Sequence, residues 1–299
     1  MFSLVTNACA SDAARLRLVI PSWQRTFGSR FDELVVVLDT EPPVGRIASL
    51  HGDATTNDLA EVRDVLDDLA RSDPRIRIET LPGAEGLKAT ADHWFTEGRP
   101  MRCQSGTPIL AFARAIDSAT RNPIVLRADC DMLFFDDGWL DEATDLLIAG
   151  EADLVEPWGV GELYNEEIWI SAWISKKVLR RVSTRAMLLH AGHFTERCLP
   201  IRPHRLDLPR RIHRKLQRRS TWLALEAMLD CEVSEGRIRH RVLPSDSGSS
   251  MHVCTRAEAS LVGMAEVAAA FERGDIPEDQ VRAGRDFSVS AWKPLLSDA

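Results

Sequence analysis

The chain has 299 residues, of which 44% are hydrophobic and 27% charged, as is typical of a soluble globular protein. Its net charge of −8 and pI near 5.6 argue against a general nucleic-acid binder. No apolar run approaches the length of a membrane span, and the six cysteines include no C-x-x-C pair. We therefore expect reduced thiols, a cytoplasmic location and no transmembrane segment.

The first 135 residues alternate between predicted strands and predicted helices. Apolar periodicity predicts strands at Phe2–Asn7, Phe31–Leu38, Arg75–Glu79 and directly after Pro123. It predicts helices at Ser11–Phe27, Leu59–Leu69, Leu87–Phe95 and Ile109–Thr120. The continuous apolar run Leu34–Leu38 is typical of a strand that is covered on both faces of a parallel sheet. Alternation of strand and helix is the order of βαβ units in such a sheet.

The second half is less regular. The pattern predicts helices at Trp139–Ile148, Lys177–Val182, Thr221–Leu229 and Arg256–Phe271. It predicts short strands at Asp153–Glu156, Ile168–Ser175 and Ile238–Leu243, and a polar loop at Pro244–His252.

The segment Arg197–Arg219 is strongly basic and contains three prolines. This composition indicates a solvated loop. A sharper interpretation is a lid or acceptor-binding segment whose arginines meet phosphate or the surface of a membrane, as a peripheral contact.

Two carboxylates, Asp129 and Asp131, follow the apolar strand after Pro123. In an open α/β sheet, ligands bind at the carboxyl ends of the strands. Because the chain turns there, one carboxylate can face a sugar hydroxyl while the other faces a metal ion. Mg²⁺ and Mn²⁺ take a few carboxylate oxygens together with diphosphate oxygens. Capping of the following segment is the alternative, although no clear helix start follows the two acids.

An ordered set of features in residues 1–135 resembles the GT-A glycosyltransferases, most of all the large family-2-like group. The features are the strand ending Thr6-Asn7-Ala8, the strand ending in Asp39, the segment Phe112–Ala119 and the Asp129-Cys130-Asp131 motif. The resemblance implies an α/β GT-A fold in a single domain, with a Rossmann-like, mostly parallel central sheet flanked by helices. It implies a nucleotide-sugar-binding half at residues 1–135 and a more irregular acceptor-binding half at residues 136–299.

The resemblance also implies roles for individual residues near the donor. Those expected to hold the nucleotide base are Thr6, Asn7, Ala8 and Asp39. Asp129 is expected on the ribose side, and Asp131 is expected to hold Mn²⁺ or Mg²⁺ on the diphosphate.

Two further candidates rest on position relative to the family. Arg114 lies where family members often have an Asn nearby, and we count it among the candidate donor-binding residues. His252 lies at the end of the polar C-terminal loop, where a histidine supplies a further metal ligand in several GT-A enzymes; a surface histidine is the alternative.

Inverting sugar transfer needs a carboxylate that takes the proton of the acceptor hydroxyl. Family-2 enzymes place an acid in a helix after the sheet, which favours Glu226, with Asp246 as the second candidate. For Glu226 and its neighbour Asp230, a solvated helix face is the alternative.

The sequence thus predicts a metal-dependent glycosyltransferase that moves a sugar from a nucleotide-diphosphate donor to an acceptor hydroxyl. Two other functions stay open. A nucleotidyltransferase of related fold usually has an N-terminal Gly-rich loop with an early basic residue, and residues 6–15 contain neither a Gly nor an early Lys. A non-catalytic sugar-nucleotide-binding protein would bind the donor without turning it over.

Overall fold

The computed structural model describes residues 1–41, 56–83, 86–97, 101–103, 108–134, 136–157, 182–205, 208–217, 220–243, 250–252, 269–270 and 273. Within these ranges the strands are β1 (Phe2–Ala8), β2 (Phe31–Leu38), β3 (Ile76–Thr80), β4 (Ile124–Ala128), β5 (Met132–Phe134), β6 (Leu154–Glu156), β7 (Ala186–His190), β8 (His240–Val242) and β9 (Ser250–His252). The α-helices are α1 (Ala13–Phe27), α2 (Thr56–Ser72), α3 (Lys88–Trp94), α4 (Ile109–Asp117), α5 (Trp139–Ile148), α6 (Ala191–Cys198), α7 (Leu208–Leu216) and α8 (Leu225–Ser234).

The central sheet contains seven described strands in the order β3-β2-β1-β4-β7-β6-β8. Strands β3, β2, β1 and β4 are parallel. Strand β7 is antiparallel to both β4 and β6, and β8 is parallel to β6, so β7 alone runs against the others. The predicted α/β class and mostly parallel sheet are confirmed.

Helices cover both faces of this sheet because successive strand residues point to opposite sides. One face packs against α1, α2 and α5, through Leu4, Leu34, Leu126, Leu16, Trp23, Leu66 and Trp139. The other face packs against α3, α4 and α8, through Val5, Val35, Val125, Trp94, Phe112 and Met228. Both layers hold the strands in place, and the carboxyl ends of β1, β2 and β4 come together at one edge.

Several element bounds differ from the prediction for identifiable reasons. Strand β2 and helix α5 have the predicted bounds. Helix α8 begins at Leu225 instead of Thr221, because Trp222 forms a bridge with Arg205 and the Leu223 amide donates to the His204 carbonyl at 2.9 Å.

Three segments correct the sequence analysis. The basic segment predicted as a solvated loop contains the end of α6 and the whole of α7. Strand β7, in which four apolar residues precede His190, was not predicted. The end of the predicted polar loop forms β9, which pairs with β5. The strand Ile168–Ser175 and nearly all of the predicted helices Lys177–Val182 and Arg256–Phe271 lie outside the described residues.

Asp73 joins α1, the end of α2 and β3. Its carboxylate accepts hydrogen bonds from Gln24 Nε2 at 2.6 Å and from Arg75 Nη2 at 2.7 Å. Arg75 in turn donates to the Gly28 carbonyl at 2.7 Å. The hydrogen bonds from Arg75 lower the pKa of the Asp73 carboxyl from its ordinary 3.8 to about 2. A difference of that size corresponds to about 2 kcal/mol of folding free energy.

We expect Asp73→Asn to lower the free energy of unfolding by about 2 kcal/mol at pH 7. Because the pKa is lower in the folded state, the carboxylate stabilises the fold above its unfolded pKa. That contribution is lost as the pH falls through about 2. Urea unfolding of both proteins between neutral and strongly acidic pH measures the difference, with the exposed Asp64→Asn as control. A difference that stays constant over that range would contradict the prediction.

Candidate functional site

A cleft with a cavity volume of about 270 Å³ opens at the carboxyl ends of β1, β2 and β4. This is the edge at which an open α/β sheet binds its ligands. The candidate residues that line it are Asn7, Ala8, Asp39, Asp129, Asp131 and Glu226. They come from separate parts of the chain, so the fold brings together most of the predicted site.

Asp39 lies at the end of β2 and is 3% exposed. Arg102 Nη2 donates to its Oδ2 at 2.8 Å, and the Glu41 amide donates to its Oδ1 at 3.0 Å. Burial raises the pKa of the Asp39 carboxyl, an effect that the charge of Arg102 opposes. A second cavity of about 110 Å³ has both residues in its wall, together with Leu81 and Met101. The Asp39 carboxylate, an acceptor, and the Arg102 guanidinium, a donor, are therefore adjacent and lie next to apolar side chains. A planar ring with polar edges needs such a combination of contacts.

The end of β1 is fixed by the side chain of Asn7. Asn7 Nδ2 donates to the Ala111 carbonyl in α4 at 2.7 Å, and its Oδ1 accepts from Arg127 Nη2 at 3.3 Å. Ala8, also in the cleft wall, leaves room because its side chain is a single methyl group. Thr6 is fully buried, and its hydroxyl lies 3.5 Å from the Asn7 carbonyl oxygen.

Arg127 is a buried charge two residues before Asp129. Its guanidinium forms an ion pair with the Asp129 carboxylate and donates to the Thr184 carbonyl. It also lies over the Phe112 ring, 4.8 Å from the centroid. A buried guanidinium is costly unless it is paired and hydrogen-bonded, so these contacts fix its position. Arg127 therefore fixes the carboxylate of Asp129, the first acid of the Asp-x-Asp motif, while it is itself held by Asn7 in β1 and by Thr184 before β7.

Asp131 lies in the turn between β4 and β5, which the Met132 amide closes by donating to the Asp129 carbonyl at 3.1 Å. Its carboxylate lies in the cleft wall near Arg15 of α1. Burial by itself would lower the pKa of the Arg15 guanidinium. The nearby carboxylates of Asp12 and Asp131 outweigh this effect, so the pKa of Arg15 is raised.

The donor atoms at this turn suit a hard divalent ion. Carboxylate oxygens are the ligands that Mg²⁺ and Mn²⁺ prefer. Among the described residues, no three or more His, Cys, Asp or Glu side chains are grouped so that they could hold a metal ion. Asp131 supplies oxygens of this kind in the cleft wall, and the described residues form no all-protein cage around it.

The second predicted metal residue is brought to the same turn by strand pairing. Strand β9 is antiparallel to β5, and His252 lies opposite Met132, the residue after Asp131. Positions that are far apart in sequence are thus neighbours on paired strands. The second candidate base, Asp246, lies outside the described residues.

Glu226 lies in the first turn of α8, where the helix dipole favours a negative charge. Thr184 Oγ1 donates to Glu226 Oε1 at 2.6 Å, and the carbonyl of the same threonine accepts from Arg127. Asp230, one turn further along α8, is buried and accepts from the Val182 amide at 2.8 Å. Of the two acids, Glu226 is therefore the one in the wall of the cleft.

Arg114 lies elsewhere. It is a residue of α4 whose Nη2 donates to Glu79 Oε2 at 2.9 Å, and that carboxylate also accepts from Ser118 Oγ at 2.6 Å. This network ties α4 to β3, and Arg114 does not line the cleft. Lining residues that were not predicted from the sequence include Arg15, Arg102, Arg127 and Thr184. A charged residue inside an apolar strand is the signal that could have identified Arg127.

No family profile matches the chain, and no curated protein matches its sequence. Solved structures that resemble it include the galactosyltransferase LgtC in complex with donor and acceptor sugar analogues, at 13% identity and a TM-score of 0.48, covering 99% of this chain and 100% of that one. The mannosyltransferase PcManGT from Pyrobaculum calidifontis, in complex with GDP-Man and Mn²⁺, has 13% identity and a TM-score of 0.47, covering 99% and 68%.

A further structure is glucosyl-3-phosphoglycerate synthase from Mycobacterium tuberculosis in complex with Mn²⁺, UDP and phosphoglyceric acid. It has 15% identity and a TM-score of 0.44, covering 92% of this chain and 78% of that one. Within the described residues, no helix has both the length and the apolarity that crossing a bilayer requires.

Proposed function

We propose that this chain is a metal-dependent glycosyltransferase that moves a sugar from a nucleotide-diphosphate donor to an acceptor hydroxyl. The observation that carries the proposal is the presence in one cleft of Asp39, Asp129, Asp131 and Glu226. Each of these acids has a separate task in such a reaction, and the cleft wall brings all four around one volume.

The nucleotide is held at the ends of β1 and β2. Asp39 accepts a hydrogen bond from the base, and Arg102, which lies beside it and pairs with it at 2.8 Å, donates one. Asp129 accepts from the ribose side. Its ion pair with Arg127 keeps it in one position before the donor arrives, which reduces the ordering cost of binding.

The diphosphate lies towards Asp131 and His252, the residues that would hold Mn²⁺ or Mg²⁺. When bound, the cation neutralises charge that develops on the diphosphate leaving group. Arg15, near Asp131, adds a fixed positive charge on the same side of the cleft.

Glu226 acts on the acceptor. As the acceptor oxygen attacks the anomeric carbon, the bond from that carbon to the diphosphate oxygen breaks and the hydroxyl proton passes to the Glu226 carboxylate. The hydroxyl of Thr184 orients that carboxylate through a hydrogen bond of 2.6 Å. A single attack of this kind inverts the anomeric configuration.

Thermal unfolding of the full chain with a series of nucleoside diphosphates, each with and without Mn²⁺, tests the proposal. A ligand at a hundredfold excess over its dissociation constant stabilises the native state by about 2.7 kcal/mol. We expect one base to stabilise more than the others, and to do so more with Mn²⁺. Donor turnover then separates an enzyme from a protein that only binds sugar nucleotides.

Asp39→Ala is expected to weaken nucleotide binding by about tenfold to a hundredfold, the loss of one hydrogen bond to a charged acceptor. The fold should tolerate the change because Arg102 keeps Glu41 as a partner at 3.2 Å. Calorimetric titration measures the affinity, with Asp92→Ala, an exposed position on α3, as control. Unchanged affinity in Asp39→Ala would remove this residue from the base site.

A further inference from the structure

Helix α7 carries an exposed apolar stripe. Leu208 is 59% exposed, Ile212 54% and Leu216 80%. The three residues are four positions apart, so they lie along one face of the helix. Single exposed apolar residues are ordinary, but a continuous row on one helix marks a surface that another body covers.

Positive charge accompanies the stripe. The helix sequence LPRRIHRKL contains three arginines and one lysine and no acidic residue, whereas the whole chain has a net charge of −8. At about 100° per residue, the positions of Arg211 and Lys215 are next to the apolar row. The helix is therefore a cationic patch on an acidic protein, with its charges beside its apolar face.

The segments that precede and follow α7 contact each other through Arg205 and Trp222. Arg205 forms a bridge with Trp222, and its guanidinium lies 3.9 Å from the centroid of the Trp222 ring. Ser220, which lies between α7 and Trp222 in the sequence, donates through its Oγ to the Arg102 carbonyl at 2.5 Å. The segment that follows α7 is thus connected to the wall of the cleft, because Arg102, which accepts from Ser220, also binds Asp39.

We propose that α7 docks this protein on an anionic lipid surface. A helix of this composition lies in the plane of the interface, where its apolar face enters the lipid and its basic residues meet the headgroups. Nucleic acid would use the charges but not the stripe, and a symmetric dimer through α7 would bring the basic residues of one helix against those of the other. If the proposed sugar transfer holds, docking brings the cleft close to acceptor hydroxyls carried by lipids.

The test is binding of the full chain to vesicles of phosphatidylglycerol and phosphatidylcholine, measured by flotation. One variant, Ile212→Asp/Leu216→Asp, removes the stripe; another, Arg211→Glu/Lys215→Glu, reverses the flanking charge. We expect each to weaken binding at least tenfold, and vesicles of phosphatidylcholine alone to bind the wild type weakly. Matched controls are Ile148→Asp, 62% exposed on α5, and Arg63→Glu/Lys88→Glu, both exposed on other helices.

Each other outcome overturns the proposal. Equal binding to anionic and neutral vesicles, or no binding to either, removes the anionic lipid surface. Loss in the charge variant alone indicates a soluble polyanion, which an RNA-binding assay would identify. Loss of self-association in the stripe variant, seen by sedimentation, assigns the stripe to a second copy. Stabilisation of each variant by nucleoside diphosphate reports on the cleft separately, so failure of docking and failure of the proposed reaction are distinguishable.

Discussion

Glu226→Gln is expected to slow sugar transfer by roughly 10²–10⁴-fold while donor affinity stays unchanged. The amide keeps the shape of the side chain and can still accept the hydrogen bond from Thr184, which is 2.6 Å long in the wild type. It cannot take a proton from the acceptor hydroxyl. Initial rates of transfer at saturating donor and acceptor, together with donor titration, measure the two quantities separately.

A matched control is Glu235→Gln, an exposed carboxylate just after α8 that pairs with Arg202 and Arg237. Its transfer rate should equal that of the wild type. If Glu226→Gln keeps its rate and Asp246→Asn abolishes turnover, the base is Asp246. If neither change matters, inverting transfer through a protein base is wrong and a retaining mechanism takes its place.

Asp131→Asn is expected to remove most of the mutual strengthening between Mn²⁺ and nucleoside diphosphate. A site completed by substrate oxygens binds the ion weakly on its own, and each ligand then raises the affinity of the other by the same factor. Such coupling is typically about 5- to 150-fold. Calorimetric titration of nucleotide with and without Mn²⁺ gives that factor in the wild type and in the variant.

Part of the nucleotide affinity should survive in Asp131→Asn, because Asp39 still binds the base. His252→Ala should reduce the coupling by a smaller factor, and Asp145→Asn, an exposed acid on α5, should leave it unchanged. Equal nucleotide affinity of the wild type in Mn²⁺ and in chelator would overturn the metal-dependent mechanism. Transfer that continues in chelator would assign the diphosphate to basic side chains instead.

The cleft residues that could be predicted from the sequence are those that directly follow a strand. Asp39 follows a continuous apolar strand, and Asp129 and Asp131 follow another. Because parallel strands point their carboxyl ends to one edge, a local pattern is enough to place such residues together. The position of Glu226 in the cleft is harder to predict, because it depends on the residue at which α8 begins.

Residues that act through distant partners could not be found in this way. Arg102 binds Asp39 from 63 positions away. Arg127 is fixed by Thr184, and Thr184 is placed by β7, a strand that joins the sheet from the second half of the chain. No local pattern contains such a pairing. Arg114 is the reverse case, because its position in the sequence suggested the donor site while its side chain binds Glu79, outside the lining of the cleft.

Helix α7 was predicted as a loop because its segment is rich in proline and arginine. Pro209 is the second residue of the helix. In the first turn a backbone N–H has no partner within the helix, so proline is tolerated there. The proline therefore fits the start of the helix and does not interrupt it.

The place of β7 in the sheet has a consequence for synthesis of the chain. Strand β4 lies between β1 and β7, so until residues 186–190 are made its outer edge offers unpaired backbone groups. The apolar, buried side chains of β4 make that edge a template for pairing with other chains. A fragment ending near residue 135 would keep this edge open permanently and would aggregate. Residues 1–135 are therefore not a separable unit, and the nascent chain is exposed to aggregation until β7 closes the sheet.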